Sequence, residues 1–374
     1  MSKIIFVTYG DYRNVVGGGG VYTSQIVSSL KVLGFNVVAL NAYDYIDMNR
    51  KWLRKLAAFL RSFFSSYPLP VLYFYNKSLL KAFERELKMA GADGGEVVVA
   101  IDHIELAYLL NSKYVCKVPN FKFVHFSHNF ESDVFSQRLT GVKGILKKIR
   151  FVSKYIDFER KTLPKFDICF SISSDDIEKY RSVYNLNVIH LPLAFERKLY
   201  NDYTSSKSAI KLVFLANMDW WPNREALTWI IDVLAPKLPA AYTVEVYGKG
   251  TEKYQLSSSQ ASIKFNGFVN DVSEIWTDAF FSLAPISSGS GVNVKVVESL
   301  ASEVPVLTTM VGAKGIMKNE AIFTLALNDP MAWVSVLERY RGSLDDYLSL
   351  RREIIMPTNQ QMEGTLRRLL WETK

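Results

Sequence analysis

Along this chain, short apolar runs bounded by glycine, proline or asparagine alternate with stretches whose apolar positions recur three or four residues apart. That is the pattern of strands alternating with amphipathic helices. In the first half the predicted strands are Ile4 to Thr8, Val37 to Leu40, Val97 to Ile101, Phe121 to Phe126, Asp167 to Ser171 and Val188 to Leu193. Val21 to Leu33 is an amphipathic helix, Phe158 to Leu163 a helix end, and Ser173 to Asp176 a capped helix start. The second half resumes with strands at Lys211 to Leu215, Val244 to Tyr247, Ile263 to Phe265, Phe280 to Leu283 and Val304 to Thr309. Asn223 is placed to cap a helix whose buried stripe is Leu227, Ile230, Ile231 and Leu234, and Asp271 precedes a helix with Ile275 and Trp276. Such alternation in both halves predicts an α/β chain with two open, mostly parallel sheets.

Three glycine-rich turns punctuate this pattern. Asp11 to Gly20 is read as a loop ending in four glycines between the first strand and helix, and Gly248-Lys249-Gly250 as a tight turn. Gly289 to Gly291 links the strand at Phe280 to a helix carrying Val294, Val297 and Leu300. A glycine turn feeding a helix gathers unpaired amides and the positive end of the helix dipole at one point, which suits a phosphate. There Gly289, Gly291, Val292 and Asn293 are backbone candidates and Lys295 adds charge. Glu298 stands three residues on, placed for ribose hydroxyls; the same spacing equally describes an ordinary helix ion pair.

At 374 residues the chain exceeds one ordinary core, so two domains are expected. The polar stretch from Glu196 to Ser208 is the linker candidate, which divides the chain into 1–195, 196–355 and a terminal helical segment 356–374. Cys116 and Cys169 have no metal spacing and fit a reducing compartment, and the four histidines at 103, 125, 128 and 190 look scattered, so no metal site is expected. No run reaches the roughly eighteen apolar residues of a membrane helix, and Met1 to Val7 is too short for a signal peptide, so a cytoplasmic protein is expected. A net charge of +8 favours anionic partners. Residues 49 to 66 place Trp52, Leu56, Phe59 and Phe63 on one helical side among Arg50, Lys51, Arg54, Lys55 and Arg61; a second basic segment holds Lys143, Lys147, Lys148, Arg150 and Lys154. Such segments suit an anionic membrane surface; the competing expectation is a helix that buries its apolar side and solvates its basic one. Nucleic acid binding would rest on charge and aromatics alone and is not expected.

Val297-Glu298-Ser299-Leu300-Ala301 with Pro305-Val306, the turn Met218-Asp219-Trp220-Trp221-Pro222-Asn223, and His128-Asn129-Phe130-Glu131 resemble motifs of the retaining GT-B glycosyltransferases. The turn is similar to that of one bacterial branch of this family, and the likeness runs over nearly the whole chain. It implies two Rossmann-like domains facing across an interdomain cleft, the last helix crossing back to the first. It implies transfer of a sugar from a UDP- or GDP-sugar to a hydroxyl of a glycan or lipid-linked acceptor, with no cofactor or metal required. By the same resemblance His128 contacts the transferred sugar, and Gly19 and Gly20 close over donor and acceptor. Asn217 belongs to the first turn of the donor domain, Phe268 to the base-reading segment, and Arg224, Lys249 or Lys295 to the diphosphate. The family's first acidic residue falls on Ser290, which is taken as its catalytic counterpart and also opens a second reading, a non-catalytic subunit that binds a nucleotide sugar or a protein partner.

Overall fold

Ile4, Ile5, Phe6 and Val7 are all fully buried, as expected of a parallel strand covered on both faces. They form β1 (Lys3–Thr8), the first strand of a chain seen here as a computed structural model. The structure describes residues 3–10, 12–13, 18–92, 96–115, 121–139, 145–198, 209–257, 262–289 and 291–371. The chain folds as two units, residues 1–192 with 360–374, and residues 193–359. Of the proposed linker, 199–208 lies outside the described residues, as do Cys116, Lys143 and Ser290.

In the first unit β1 is followed by α1 (Gly18–Val32), β2 (Asn36–Asn41), α2 (Lys51–Ser62), α3 (Leu69–Phe74), α4 (Lys77–Ala92) and β3 (Val97–Ile101). Then come β4 (Phe121–Ser127), α5 (Glu131–Arg138), α6 (Ile145–Thr162), β5 (Ile168–Ser171), α7 (Ser174–Tyr184) and β6 (Ile189–His190). The sheet order is β2-β1-β3-β4-β5-β6, every pair parallel, with Ile5 opposite both Val38 and Val99. Helix α1 buries Tyr22, Ile26 and Leu30 at four-residue spacing, and Tyr22 Oη donates to the Leu191 carbonyl at 2.7 Å. It starts at Gly18, so Gly18, Gly19 and Gly20 are its first turn and not the end of a loop. Side-chain size does not oppose helix at these positions, and Tyr22 to Leu30 packing supplies the reason to form one.

The competing expectation for α2 is overturned. Its inward stripe is Arg54, Ala58 and Ser62, while Trp52, Leu56, Phe59 and Phe63 face outward.

The second unit runs β7 (Ile210–Leu215), α8 (Trp221–Trp229), β8 (Tyr242–Tyr247), β9 (Ile263–Gly267), α9 (Val272–Trp276), β10 (Ala279–Ala284) and α10 (Val294–Ala301). It continues with β11 (Val306–Thr308), β12 (Ile322–Thr324), α11 (Pro330–Arg341) and α12 (Leu344–Arg352). Its sheet order is β12-β11-β10-β7-β8-β9, again all parallel. Leu227, Ile230 and Leu234 are fully buried, a stripe worth roughly 2 kcal/mol per side chain. Helix α8 begins two residues before the expected cap, because Pro222 suits a first turn and Asn223 is drawn inward to bond the Asn217 carbonyl. The closing helix α13 (Asn359–Trp371) packs within the first unit through Met362, Leu366 and Leu370, and Lys122 Nζ donates to the Leu369 carbonyl at 2.6 Å.

Candidate active site

Parallel α/β sheets bind ligands beyond the carboxyl ends of strands, where the strand order reverses. In the second sheet the chain runs outward from β7 through β8 to β9, then returns to start again at β10, so the reversal lies between β7 and β10, which pair directly at Phe281 opposite Leu212. The loops leaving these two strands meet. Lys295 Nζ donates to Asn223 Oδ1 at 2.6 Å, and the Ser287 and Ser288 hydroxyls donate to Glu225 Oε2 at 2.7 and 2.9 Å. Asn223 is held in turn by its amide bond to the Asn217 carbonyl at 2.7 Å, and Asn217 Oδ1 accepts from the Asp219 amide at 2.9 Å.

The turn into α10 needs its glycines, for Gly289 and Gly291 have φ of 122° and 78°. Asn293 is the N-cap but accepts no bond from the first amides of α10, its side chain donating instead to the Gly312 carbonyl at 3.3 Å. The Val296 amide donates to the Asn293 carbonyl at 2.9 Å, and among the described residues the amides of Val294 and Lys295 are the ones that remain for an anion. Val292 lies between Gly291 and this cap, and the intervening Ser290 lies outside the described residues.

Lys295 has a neutral partner in Asn223 and lies 5.1 Å from the centroid of the Phe214 ring. Burial pushes its ammonium down to about 7. Among the described residues no ion pair joins it to Glu298, contrary to the simpler helix-pair expectation. Glu298, partly buried, stands beside the Trp276 indole and Lys198; burial raises its carboxyl, and those two neighbours oppose the rise. A diphosphate at the start of α10 would find a cation without a counter-charge, one step from a carboxylate suited to hydroxyls.

Neighbouring strand ends complete this rim. A Cβ on Gly248, whose φ is 116°, would stand 2.0 Å from the Ala216 carbonyl oxygen, so only glycine lets the turn after β8 lie against the loop after β7. There Lys249 is exposed and paired to Asp219 at 3.0 Å, and Arg224 is tied to the Met218 carbonyl at 2.6 Å. Both cations therefore have local partners, whereas among the described residues Lys295 has no acid. Phe268, beyond the Gly267 end of β9, is exposed.

The first sheet reverses between β1 and β3, and a polar cluster occupies that point. Asp102, fully buried just past β3, accepts from Thr8 Oγ1 at 2.6 Å, Thr23 Oγ1 at 2.7 Å and His128 Nε2 at 2.9 Å. His103 Nδ1 stands 3.0 Å from the same carboxylate. Burial alone would raise the Asp102 carboxyl, but the His128 and His103 rings beside it hold it well below the usual range. Burial lowers the His128 imidazole. At neutral pH Asp102 is thus a carboxylate at the centre of the cluster.

Sequence reasoning placed His128 here and missed Asp102, His103, Thr8 and Thr23; the position of Asp102 immediately after a strand end was the available signal. Two of the four histidines are not scattered. Asp102, His103 and His128 bring ligating atoms within 4.8 Å of one another, a spacing open to a metal ion. However, the imidazole rings stack at 4.3 Å and 14°, so their in-plane nitrogens run side by side, and Asp102 is already engaged by the threonines and His128. The arrangement is that of a hydrogen-bond network.

His128 also abuts α1, for a Cβ on Gly19 would lie 3.9 Å from His128 Nδ1, and Gly20 is buried in the same turn. His125 points elsewhere, its Nδ1 against the Ile101 carbonyl at 2.9 Å and its pKa lowered by burial to about 4. Nearby, Glu131 accepts from Asn129 at 2.9 Å and burial raises its carboxyl well above the usual range. Tyr155 donates to Glu105 Oε1 at 2.9 Å.

Residues 209–340 match the sequence model of the family described as glycosyl transferases group 1. No curated protein matches the chain. Among solved structures it is similar to a sucrose-phosphate synthase from Thermosynechococcus elongatus, 13% identical, all of both chains covered, TM-score 0.67. It is also similar to HepE of Anabaena in complex with UDP-glucose, 12% identical, all of both chains covered, TM-score 0.65. A third is WaaG, a glycosyltransferase involved in lipopolysaccharide biosynthesis, 15% identical, 99% of this chain and 100% of that one covered, TM-score 0.61. With two six-stranded parallel sheets, likeness to these structures over its whole length and the group 1 glycosyl transferase sequence over residues 209–340, the chain has the GT-B fold.

Proposed function

We propose that the chain transfers a sugar from a nucleotide diphosphate donor to a hydroxyl, with the anomeric configuration retained, in the synthesis of a polysaccharide or lipid-linked glycan. The observation that carries this reading is Lys295, partly buried at the start of α10 with no acidic partner among the described residues. The chemistry needs negative charge stabilised on the departing diphosphate while the sugar gains oxocarbenium character. The amides opening α10 and the Lys295 ammonium supply that stabilisation from fixed positions. Glu298 is assigned to the ribose hydroxyls, and His128, fixed by Asp102, to the transferred sugar. HepE, solved with UDP-glucose, supports a UDP-sugar donor, and WaaG, a glycosyltransferase involved in lipopolysaccharide biosynthesis, supports a role in making such a glycan. A GDP-sugar remains the other donor class, because Gly267 and Phe268 offer the base a backbone edge and a ring face, and neither distinguishes the two bases.

The test is nucleotide release from a panel of nucleotide sugars in the presence of glycan and lipid-linked acceptors, comparing the wild type with Lys295→Ala and Glu298→Ala. Loss of turnover in both variants is expected; near-normal transfer would remove the site assignment. Ser290, where the resembled family has an acid, favours a second reading as a non-catalytic nucleotide-sugar-binding subunit. Tight nucleotide binding with no release from any donor and acceptor pair would select it.

A further inference from the structure

Helix α2 is attached by the side opposite to the one its composition favours. Arg54, Ala58 and Ser62, four residues apart, form the inward stripe. Arg54 donates to the Tyr73 and Tyr75 carbonyls at the end of α3, and Lys154 of α6 clamps the other end by donating to the Ser62 and Ser65 carbonyls at 2.5 and 2.9 Å. The outward side carries Trp52 at 65% exposure, Leu56 at 49%, Leu60 at 55% and, just past the helix, Phe64 at 96%. At about 100° per residue these positions, with Leu53, Phe59 and Phe63, span an arc of roughly 140° that points away from the inward stripe. Exposed Lys55 and Arg61 flank the arc on its two sides, with Lys51 and Arg50 at the helix start.

An apolar patch of this size on a surface marks an interaction site. Its cationic margins select the occupant. A second copy docking through the same face would set these lysines and arginines beside their own equivalents, whereas an anionic bilayer satisfies both the apolar centre and the charged flanks. We propose that α2 is an in-plane anchor that lays Trp52, Leu56, Leu60 and Phe64 into the headgroup and acyl boundary of an anionic membrane, with Lys55 and Arg61 at the phosphates. The clamps from Arg54 and Lys154 hold the helix ready, so docking requires no refolding. The second basic segment stands behind the same end of α2: Arg150 donates to the Phe63 carbonyl at 3.4 Å, while Lys143 and the side chains of Lys147 and Lys148 lie outside the described residues.

The test is co-sedimentation of the full chain with phosphatidylcholine vesicles, with and without phosphatidylglycerol, in the absence of donor and acceptor, so that its outcome is separate from that of the transferase assay. The wild type should pellet with phosphatidylglycerol vesicles and be released by salt. Lys55→Gln with Arg61→Gln should weaken partitioning roughly thirtyfold. Trp52→Ser with Leu56→Ser and Leu60→Ser should weaken it at least about a hundredfold. These are exposed positions, and an unchanged unfolding midpoint confirms that the fold is intact. Wild type left in the supernatant, or a triple variant that pellets like the wild type, overturns the proposal. So does a concentration-dependent dimer that ignores vesicles and is dispersed by the triple variant, which would assign the face to a second copy.

Discussion

Replacing Lys295 by methionine should make the protein more stable and a poorer binder of nucleotide. Burial lowers the ammonium from its ordinary value of 10.5 to about 7, a difference that corresponds to about 5 kcal/mol at roughly 1.4 kcal/mol per pKa unit. The sign follows from linkage. A base whose folded pKa is depressed binds its proton more tightly in the unfolded chain, so its cost to folding is absent above pH 10.5 and grows as pH falls to 7. Methionine removes that cost but strands Asn223 Oδ1, a loss of about 1–3 kcal/mol. Because Lys295 is only partly buried by surface area, water already recovers some of the penalty, and a net gain of about 2 kcal/mol at pH 6 is expected.

The opposite effect is expected on UDP or GDP affinity. An ammonium about 4 Å from a phosphate, at an effective dielectric near 20, contributes about 4 kcal/mol, or roughly a thousandfold in Kd. Urea unfolding of the unliganded proteins at pH 6 and pH 9, with calorimetric titration of nucleotide, measures both. Nucleotide should also draw about half a proton onto the wild type at pH 7, seen as a buffer-dependent binding enthalpy that Lys295→Met abolishes. A methionine variant that is less stable at pH 6 and binds nucleotide normally would refute the reasoning and leave Lys295 a structural residue.

Glu159, buried and bonded by Tyr184 at 2.6 Å, has its carboxyl raised by burial to about 7, so its contribution is complete below pH 4.5 and is lost as pH rises through 7. Glu159→Gln should remove about 3 kcal/mol of the stability lost between pH 5 and pH 8, and an unchanged urea profile would contradict this. Gly248→Ala should destabilise by about 3 kcal/mol, read from the urea midpoint, because its Cβ would meet the Ala216 oxygen at a backbone angle that alanine resists. Asp102→Asn keeps one acceptor oxygen for Thr8, Thr23 and His128; a loss of about 2–4 kcal/mol in unfolding is expected, and an unshifted midpoint would show the network to be incidental.

The strands were legible because residues such as Ile4 to Val7 and Val97 to Ile101 are buried on both faces, so local hydrophobicity alone marks them. The glycine entry to α10 was legible for a similarly local reason. Two kinds of fact were not. For α2, the spacing of Trp52, Leu56, Phe59 and Phe63 shows that one side is apolar, yet it carries no information about where the rest of the protein lies, and the helix is attached by its Arg54, Ala58 and Ser62 side.

The polar clusters depend on strand order, which no local pattern encodes. Asp102 takes its partners from Thr8 and Thr23, 94 and 79 residues away, because β3 pairs with β1. Lys295 reaches Asn223 across 72 residues because β10 pairs with β7. In each sheet the segment leaving the first strand meets the segment leaving the strand that starts the returning half. Exchange of β3 with β4 would preserve every predicted helix and strand and dissolve the Asp102 cluster, and exchange of β10 with β11 would do the same to the Lys295 cluster. Chemistry at these sites is therefore a property of the two reversals in strand order, and the glycines, threonines and asparagines beside them are the residues that allow the loops to close there.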